Sequence, residues 1–560
     1  MKLRSFFIIL AISVLILLSG AISSLYWILG QSPLELVSGG IFKEPITAVF
    51  VPKQAPFMVS LLVNPDRLES LAQYIAFPHN RRRSHREFLS IEKQLLSKTG
   101  LDYQTQIRPW LGEEITLAVT SLDFDHNPGN GIQPGYLLAV TTKDKESAKV
   151  FLQSSYSKEI ISGTSDLIFE SYKGVNLIYQ RHHDSSVNAR FSATAILDNL
   201  VLFANDPKIL RDAINNVQVK TSNLRNYPNY QKALKTITEP HIGIIYANFP
   251  ALSAWFGNLP IPEIPEITQT LTVAFSVKSE GLVAQTALIG GAEQGEEPPA
   301  LSQPVGALAY IPVNSILTAA GTDLNQLWNQ IETGLAKESP LQQLLNRILI
   351  SVQDHLGLNL SERVFPSIQG EFSLAIIPNV DNSELDAIFV AKKIPDINFS
   401  GWVDNFDQLA QKRGYSVGKL PLRDNTVTVW TELSTITRNN GNLTSLDARV
   451  SGVHTDVDDY VVFATSVDAM SQALSTSQIS LIRSNKLQQA VEALNPENDG
   501  YFYLDWSQGK KILEQKFPII KVLELSIKPL LDNVQSLTVS SQGKENGVRR
   551  ATIFLNVGVP

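Results

Sequence analysis

Residues 107–119 read IRPWLGEEITLAV, and residues 364–376 read VFPSIQGEFSLAI. Two further pairs of segments match in the same order at an offset of about 257–260 residues: VLFA at 201–204 with VVFA at 461–464, and GIIY at 243–246 with GYFY at 500–503. This offset is far above the roughly 20–50-residue period of solenoids and propellers. The sequence therefore predicts one large module used twice.

Composition narrows the class of protein. The chain has 560 residues, 44% of them apolar and 18% charged, which is ordinary for globular domains but too long for one hydrophobic core. It carries 47 basic and 54 acidic residues, a net charge of −7, so overall charge does not favour binding to nucleic acid. The chain contains no cysteine, which excludes disulfides, thiolate metal sites, Fe–S clusters and a thiol nucleophile.

The N-terminus predicts a membrane anchor. Residues 6–29 contain no charged side chain and follow Lys2 and Arg4, a pattern typical of a transmembrane helix whose basic end stays in the cytoplasm. Residues 1–5 would then be cytoplasmic, and the body would be periplasmic, lumenal or extracellular. The alternative is a signal peptide cleaved near Ala21-Ile22-Ser23, although the apolar run continues to Leu29.

The composition of the remaining chain indicates its domain boundaries. Residues 291–304 (GAEQGEEPPALSQP) are rich in Gly, Pro and Glu and are predicted to form a linker. We therefore expect a juxtamembrane segment at 30–45, a first module at 46–290 and a second module at 305–560. The second module holds 21 basic and 27 acidic residues, so it carries most of the net negative charge.

Hydrophobic periodicity predicts the fold class. Short alternating runs, among them 46–51, are typical of strands, and runs of helical period separate some of them. Asp198-Asn199 between two apolar runs indicates a hairpin, and the last two strands of each module are expected to form another. Strands broken by helices without strict alternation favour α+β layering. We predict two tandem copies of a mostly antiparallel sheet covered by helices, after one transmembrane helix.

The densest cluster of positive charge lies at residues 79–86 (HNRRRSHR). Arg81, Arg82, Arg83 and Arg86 could contact lipid headgroups or an acidic partner. The alternative is a solvated loop that precedes a helix.

A Gly-Glu pair stands before a predicted strand in both modules, at Gly112-Glu113 and Gly370-Glu371. The repeated carboxylate could be a ligand. The favoured interpretation is architectural: the glycine ends a helix with positive φ and the glutamate begins an exposed strand end.

Two acidic stretches resemble cation sites in part. Asp123, Asp125 and Asn127 alternate as in a calcium loop, but Pro128 and Pro134 occupy positions where that loop needs Gly and Glu, so a turn is predicted. Residues 454–459 (HTDVDD) could supply oxygen ligands, although a charged hairpin tip is the commoner arrangement.

Catalytic signatures are missing from the sequence. It contains no G-x-S-x-G, H-E-x-x-H, Walker or G-x-G-x-x-G motif. Ser-x-x-Lys occurs at scattered positions, close to the frequency expected by chance: Ser90, Ser155, Ser416, Ser507 and Ser541. The sequence favours a non-enzymatic protein without metal, cofactor or nucleic acid.

The anchor, the duplication and segments such as 100–119, 135–154 (GYLLAVTTKDKESAKVFLQS) and 167–180 (LIFESYKGVNLIYQ) resemble a cyanobacterial membrane-protein family known only as a domain of unknown function. The resemblance covers nearly the whole chain. It implies an envelope or thylakoid setting, with the body periplasmic or thylakoid-lumenal, and it supplies no activity or site residues.

The leading hypothesis is a membrane-tethered extracytoplasmic scaffold or assembly factor that binds an unknown protein or lipid, since two related modules on one tether present two related surfaces. The alternatives are a carrier of an apolar ligand and a hydrolase whose site has no linear signature.

Overall fold

The computed structural model describes residues 40–41, 43–64, 102–127, 132–161, 165–182, 192–256, 266–278, 281–290, 301, 304–325, 368–379, 385–395, 399–437, 444–475, 480–494, 498, 500–510 and 534–557.

The strands of the first half are β1 (Phe57–Leu61), β2 (Leu111–Ser121), β3 (Gly135–Thr142), β4 (Ser165–Tyr172), β5 (Val175–His182), β6 (Ala193–Leu197), β7 (Leu200–Ala204), β8 (Gly243–Asn248), β9 (Thr270–Lys278) and β10 (Gly281–Ile289). Those of the second half are β11 (Leu317–Gly321), β12 (Phe372–Pro378), β13 (Leu385–Lys392), β14 (Ser416–Leu422), β15 (Asn425–Thr437), β16 (Thr444–Val457), β17 (Tyr460–Ala464), β18 (Gly500–Asp505), β19 (Val534–Glu545) and β20 (Val548–Val557).

Short helices connect the strands. The α-helices whose bounds the structure describes are α1 (Lys145–Ile161), α2 (Pro207–Gln218), α3 (Pro228–Thr236), α4 (Phe249–Phe256), α5 (Phe399–Lys412), α6 (Val467–Leu474) and α7 (Asn485–Ala493). Single turns occur at Ile46–Val49, Gly306–Tyr310 and Leu481–Arg483 (3₁₀) and at Tyr103–Ile107 (π).

Both halves of the sheet have the same strand order. The first half runs β4-β5-β6-β7-β3-β2-β1-β8-β9-β10. The second runs β14-β15-β16-β17-β13-β12-β11-β18-β19-β20. The strand numbers differ by ten throughout, so the internal repeat extends to the complete topology of the described strands.

The predicted fold class is wrong, because the two halves do not form two separate sheets. Strand β10 pairs antiparallel with β20 from Gly281↔Asn556 to Ile289↔Val548, and this ladder makes one sheet of 20 strands with few helices. The last strand of each half would otherwise expose a row of unpaired backbone N–H and C=O groups. The pairing of β10 with β20 satisfies these groups, so neither strand is an exposed edge of the sheet.

The hydrophobic core also crosses this seam. One cluster combines Val273 and Leu252 of the first half with Ile553 and Trp506 of the second. On the other face, Val283 of β10 belongs to the core of the second half. The halves are therefore joined by packing as well as by hydrogen bonds.

The predicted transmembrane helix at residues 6–29 lies outside the described residues. Among the residues that the structure describes, no helix is long and apolar enough to cross a membrane.

The predictions for individual hairpins and strands had mixed outcomes. The hairpin at Asp198-Asn199 is confirmed, with Asp198 at a φ of 46° between β6 and β7, and the closing hairpins β9–β10 and β19–β20 are also confirmed. The strand predicted at 46–51 is wrong. Residues Ile46–Val49 form a 3₁₀ turn instead, because a distant carboxylate binds the backbone N–H groups at its start.

Candidate functional site

The four arginines predicted to contact a partner, Arg81, Arg82, Arg83 and Arg86, fall in residues 65–101, outside the described part of the chain. Their role stays a prediction. The repeated topology gives the described polar clusters of one half equivalent positions in the other half.

The architectural interpretation of the Gly-Glu pairs is wrong in its details. Gly112 lies inside β2 without positive φ, and a Cβ there would approach the Thr141 backbone to 2.8 Å. The glycine is needed for this close approach. The ladders make Glu114, not Glu113, equivalent to Glu371, because each directly precedes the residue that pairs with the end of β1 or β11.

Glu114 is buried, with 1% of its surface exposed. Its carboxylate accepts hydrogen bonds from the backbone N–H groups of Ile46 (3.1 Å) and Thr47 (2.8 Å) and lies 2.5 Å from the Thr47 hydroxyl. The hydroxyls of Thr116 and Ser60 continue this network. The carboxylate fixes the 3₁₀ turn that precedes β1.

Glu371 binds the equivalent turn in the second half, but its side chain is more exposed than that of Glu114. It accepts from the backbone N–H of Gly306 (3.0 Å) and from the Tyr460 hydroxyl (2.9 Å), and the Lys392 ammonium lies 3.5 Å away. Burial and the adjacent Glu371 carboxylate raise the pKa of Tyr460 above its ordinary value. Since both carboxylates hold equivalent turns, we assign them to the architecture of the module.

A histidine–aspartate–tryptophan cluster attaches α5 to the sheet of the second half. Asp407 Oδ1 accepts from Trp430 Nε1 (2.6 Å) and contacts His454 Nε2 (2.9 Å). His454 is buried against the rings of Trp430 and Phe463, at centroid distances of 5.6 and 5.4 Å. The aspartate thus gathers two donors from the sheet beneath its helix.

The first half has a neutral pair at the equivalent place. The hydroxyls of Tyr156 in α1 and Thr194 in β6 are hydrogen-bonded at 2.8 Å. Thr194 is paired with Phe203 in the β6–β7 ladder, as His454 is paired with Phe463 in the equivalent β16–β17 ladder. The common role of the two pairs is attachment of a helix to the sheet. The carboxylate and the imidazole at this attachment are found in the second half, where Asp407 and His454 replace the two hydroxyl groups of the first half.

Replacing Asp407 by Ala should destabilise the protein by about 2–3 kcal/mol, because the buried Trp430 Nε1 and His454 would lose their acceptor. Tyr156→Phe, the matched change in the first half, should cost about 1 kcal/mol, since it removes one hydroxyl from a neutral pair. Urea denaturation measures both free energies of unfolding. Equal losses would contradict the assignment of the charged cluster to helix attachment.

A second charged cluster also has a neutral counterpart. The Lys486 ammonium lies 2.9 Å from Asp505 Oδ2 and 2.7 Å from Ser507 Oγ, and the Ser507 hydroxyl donates to Asp505 Oδ1 (2.6 Å). The repeat offset places Asn229 and Asn248 at the positions of Lys486 and Asp505. Asp505 also accepts from the Gln508 backbone N–H, as a helix cap does. Ion pairing and capping account for the cluster, so Ser507 is not assigned as a nucleophile.

Within the described residues of the two acidic stretches, no three His, Asp or Glu side chains come together as a metal site of such ligands would require. Asp123 and Asp125 accept from the backbone N–H groups of Gln133 and Asn127, as expected for the predicted turn. In the stretch 454–459, Asp458 has a φ of 50° and forms the hairpin tip, while His454 turns inward to Asp407.

Exposed apolar residues occupy equivalent places on the sheet. Leu117 is 44% exposed and Leu374 is 42% exposed, and each is the third residue of the equivalent β2–β1 or β12–β11 ladder. Leu117 pairs with Val59, and together we call them the first apolar strip. Leu374 pairs with Ala319, which pairs with Phe502 (39% exposed), and these three form the second apolar strip.

Helices flank both strips. Beside the first strip, Leu138 packs with Leu152 of α1, and Ile245 on the other side packs with Leu252 of α4. Beside the second strip, Phe389 packs with Phe406 of α5. Two to three strands at about 4.8 Å spacing give each strip a width of about 10–15 Å, close to the diameter of one α-helix.

The fold defines a protein built as a duplicated antiparallel sheet, with exposed leucines at equivalent positions of its two halves. Residues 10–557 match the family described as "Protein of unknown function (DUF3352)", and the chain belongs to this family. None of the curated proteins and none of the solved structures that were compared matches the chain. The resemblance to a domain of unknown function is thereby confirmed.

Sequence reasoning missed the strips and the Asp407–His454 pair. The match of LAV in 117–119 with LAI in 374–376 already aligned the two leucines. Their alternation with buried neighbours, however, is that of any strand with one covered face. Asp407 and His454 lie 47 positions apart and share no motif.

Proposed function

We propose that this protein is a non-enzymatic scaffold or assembly factor that holds apolar segments of a partner protein on its two apolar strips. The observation that carries the proposal is the exposure of Leu117 and Leu374 at equivalent positions of one continuous sheet. Single exposed apolar residues are common on protein surfaces and need no explanation. An exposed leucine at the same position of both halves is a repeated feature, and this repetition supports a role in contacting a partner.

The shape of the strips favours an amphipathic helix as the bound segment. Each strip is an apolar surface about one helix wide beside helices that already pack on the sheet, and a helix laid on such a surface buries its apolar face. Both strips belong to one sheet. Once a partner is bound to one strip, binding to the second is intramolecular, so the overall affinity rises without a second loss of translational and rotational entropy.

The test compares Leu117→Lys/Leu374→Lys with the matched surface change Val150→Lys, which lies on α1 outside the strips and is already 64% exposed. Each tagged full-length variant is purified from its native cells, and the co-purified proteins and lipids are quantified by mass spectrometry. We expect a reproducible protein partner whose recovery falls at least about tenfold in the double variant, as burying two lysines would require, and stays unchanged in Val150→Lys. Each single variant should lose less. Identical protein recovery from all variants, or loss of a lipid species alone, would overturn the proposal.

Membrane tethering, the periplasmic or thylakoid-lumenal location and the cyanobacterial setting remain predictions, supported by the charge pattern of residues 1–29 and by the sequence resemblance. A tag fused after Pro560 tests the location. Protease protection of the tag in intact cells or vesicles is expected, and a cytoplasmically accessible tag would contradict it.

A further inference from the structure

Strand β4 forms one outer edge of the sheet, and β14 forms the other. Within the described residues, β4 pairs with β5 alone and β14 with β15 alone. The two edges are equivalent in topology, so their sequences can be compared directly.

The edge of the second half carries features that block further pairing. Strand β14 reads SVGKLPL and contains Lys419 and Pro421. Proline has no backbone N–H to donate, and an edge lysine opposes the approach of another strand, so both are common protections of exposed edges.

The edge of the first half lacks these protections. Strand β4 reads SDLIFESY, without lysine, proline or glycine, and its Phe169 is 72% exposed. Its Glu170 is paired with Arg211 through two hydrogen bonds of 2.9 and 2.7 Å. The edge strand therefore offers an apolar side chain and backbone groups beside a neutralised carboxylate.

We propose that β4 pairs antiparallel with β4 of a second copy of this chain, forming a symmetric dimer through a continuous sheet. The protein already contains this kind of contact, since β10 and β20 join its two halves by antiparallel pairing of strand edges. An interface of the same strand with itself is the isologous arrangement of most homodimers.

The charges of β4 are compatible with a register centred on Phe169. In this register Phe169 faces its copy, Glu170 faces Ile168, and Asp166 faces Tyr172. No two like charges are directly opposite, and an aromatic pair occupies the centre, an arrangement that stabilises antiparallel strands.

The size of the contact determines its strength. A single ladder of eight residues is smaller than the standard interface of about 800 Å² per partner, so the dimer should form in a concentration-dependent way. Sedimentation velocity of the full chain, in detergent if needed, should show a monomer–dimer equilibrium that shifts to monomer in Phe169→Lys and is unchanged in the matched edge variant Leu420→Lys on β14.

The absence of native cysteine provides a second readout. Phe169→Cys should give a disulfide-linked dimer on mild oxidation, because the two copies of this position face each other, while Leu420→Cys on the opposite edge should stay monomeric. A chain that is monomeric at all concentrations, as expected if β4 instead accepts a peptide of another protein, overturns the proposal. Association insensitive to Phe169→Lys, or equal cross-linking at both edges, also overturns it.

Discussion

Replacing Phe554 by Ala is expected to destabilise the whole protein by about 3–5 kcal/mol, the range for truncating a fully buried phenylalanine. Phe554 has no exposed surface, and in β20 it pairs with Val283 of the first half on one side and with Thr538 of β19 on the other. Its neighbours Ile553 and Leu555 belong to the core that spans both halves. The cavity would lie at the seam of the sheet.

Because the seam is shared, the loss should appear in both halves together. Guanidinium denaturation followed by far-ultraviolet circular dichroism and by tryptophan fluorescence should give coincident transitions that shift by the same amount. Phe502→Ala, a change of the same residue type at a position on β18 of the same sheet that is 39% exposed, serves as the control and should cost clearly less. Two separate transitions, with only the later one shifted, would show that the halves unfold independently.

Replacing Glu114 by Ala should cost about 2–4 kcal/mol. The change leaves the N–H groups of Ile46 and Thr47 buried without their acceptor, at about 1–3 kcal/mol for each unsatisfied group. Glu114→Gln should cost less, about 1–2 kcal/mol, because its amide oxygen can still accept while its NH₂ group must face a donor.

The second half supplies the control for this prediction. Glu371 makes the equivalent contact with Gly306, but its side chain is 26% exposed, so water can replace the lost acceptor. Glu371→Ala should therefore destabilise the protein less than Glu114→Ala in the same denaturation assay. Equal effects would contradict the assignment of the larger role to the buried carboxylate.

Elements governed by neighbouring residues were predictable from the sequence. The hairpin at Asp198-Asn199 needs only a residue that tolerates positive φ between two apolar runs. The turn at Ile46–Val49 was not predictable in this way. Its alternating apolar residues are typical of a strand, and the carboxylate that binds its N–H groups lies 67 positions away from Thr47.

The candidate sites show the same division. The short Gly-Glu motif placed Glu113 against Glu371, whereas the ladders, like the longer match of 107–119 with 364–376, place Glu114 there. One residue is enough to move a side chain from one face of a strand to the other, so this shift separates a partly exposed carboxylate from a buried one.

The sequence alone determined the duplication, the hairpins at Asp198-Asn199 and at the end of each half, and the lack of cysteine chemistry, because these depend on composition and on patterns of neighbouring residues. Only the tertiary structure decided that the two copies share one sheet and that Leu117 and Leu374 stay open. The alternating pattern of β10 or β20 specifies which side chains face the core. It does not specify which strand accepts the backbone hydrogen bonds at its free edge, since every strand offers the same donors and acceptors.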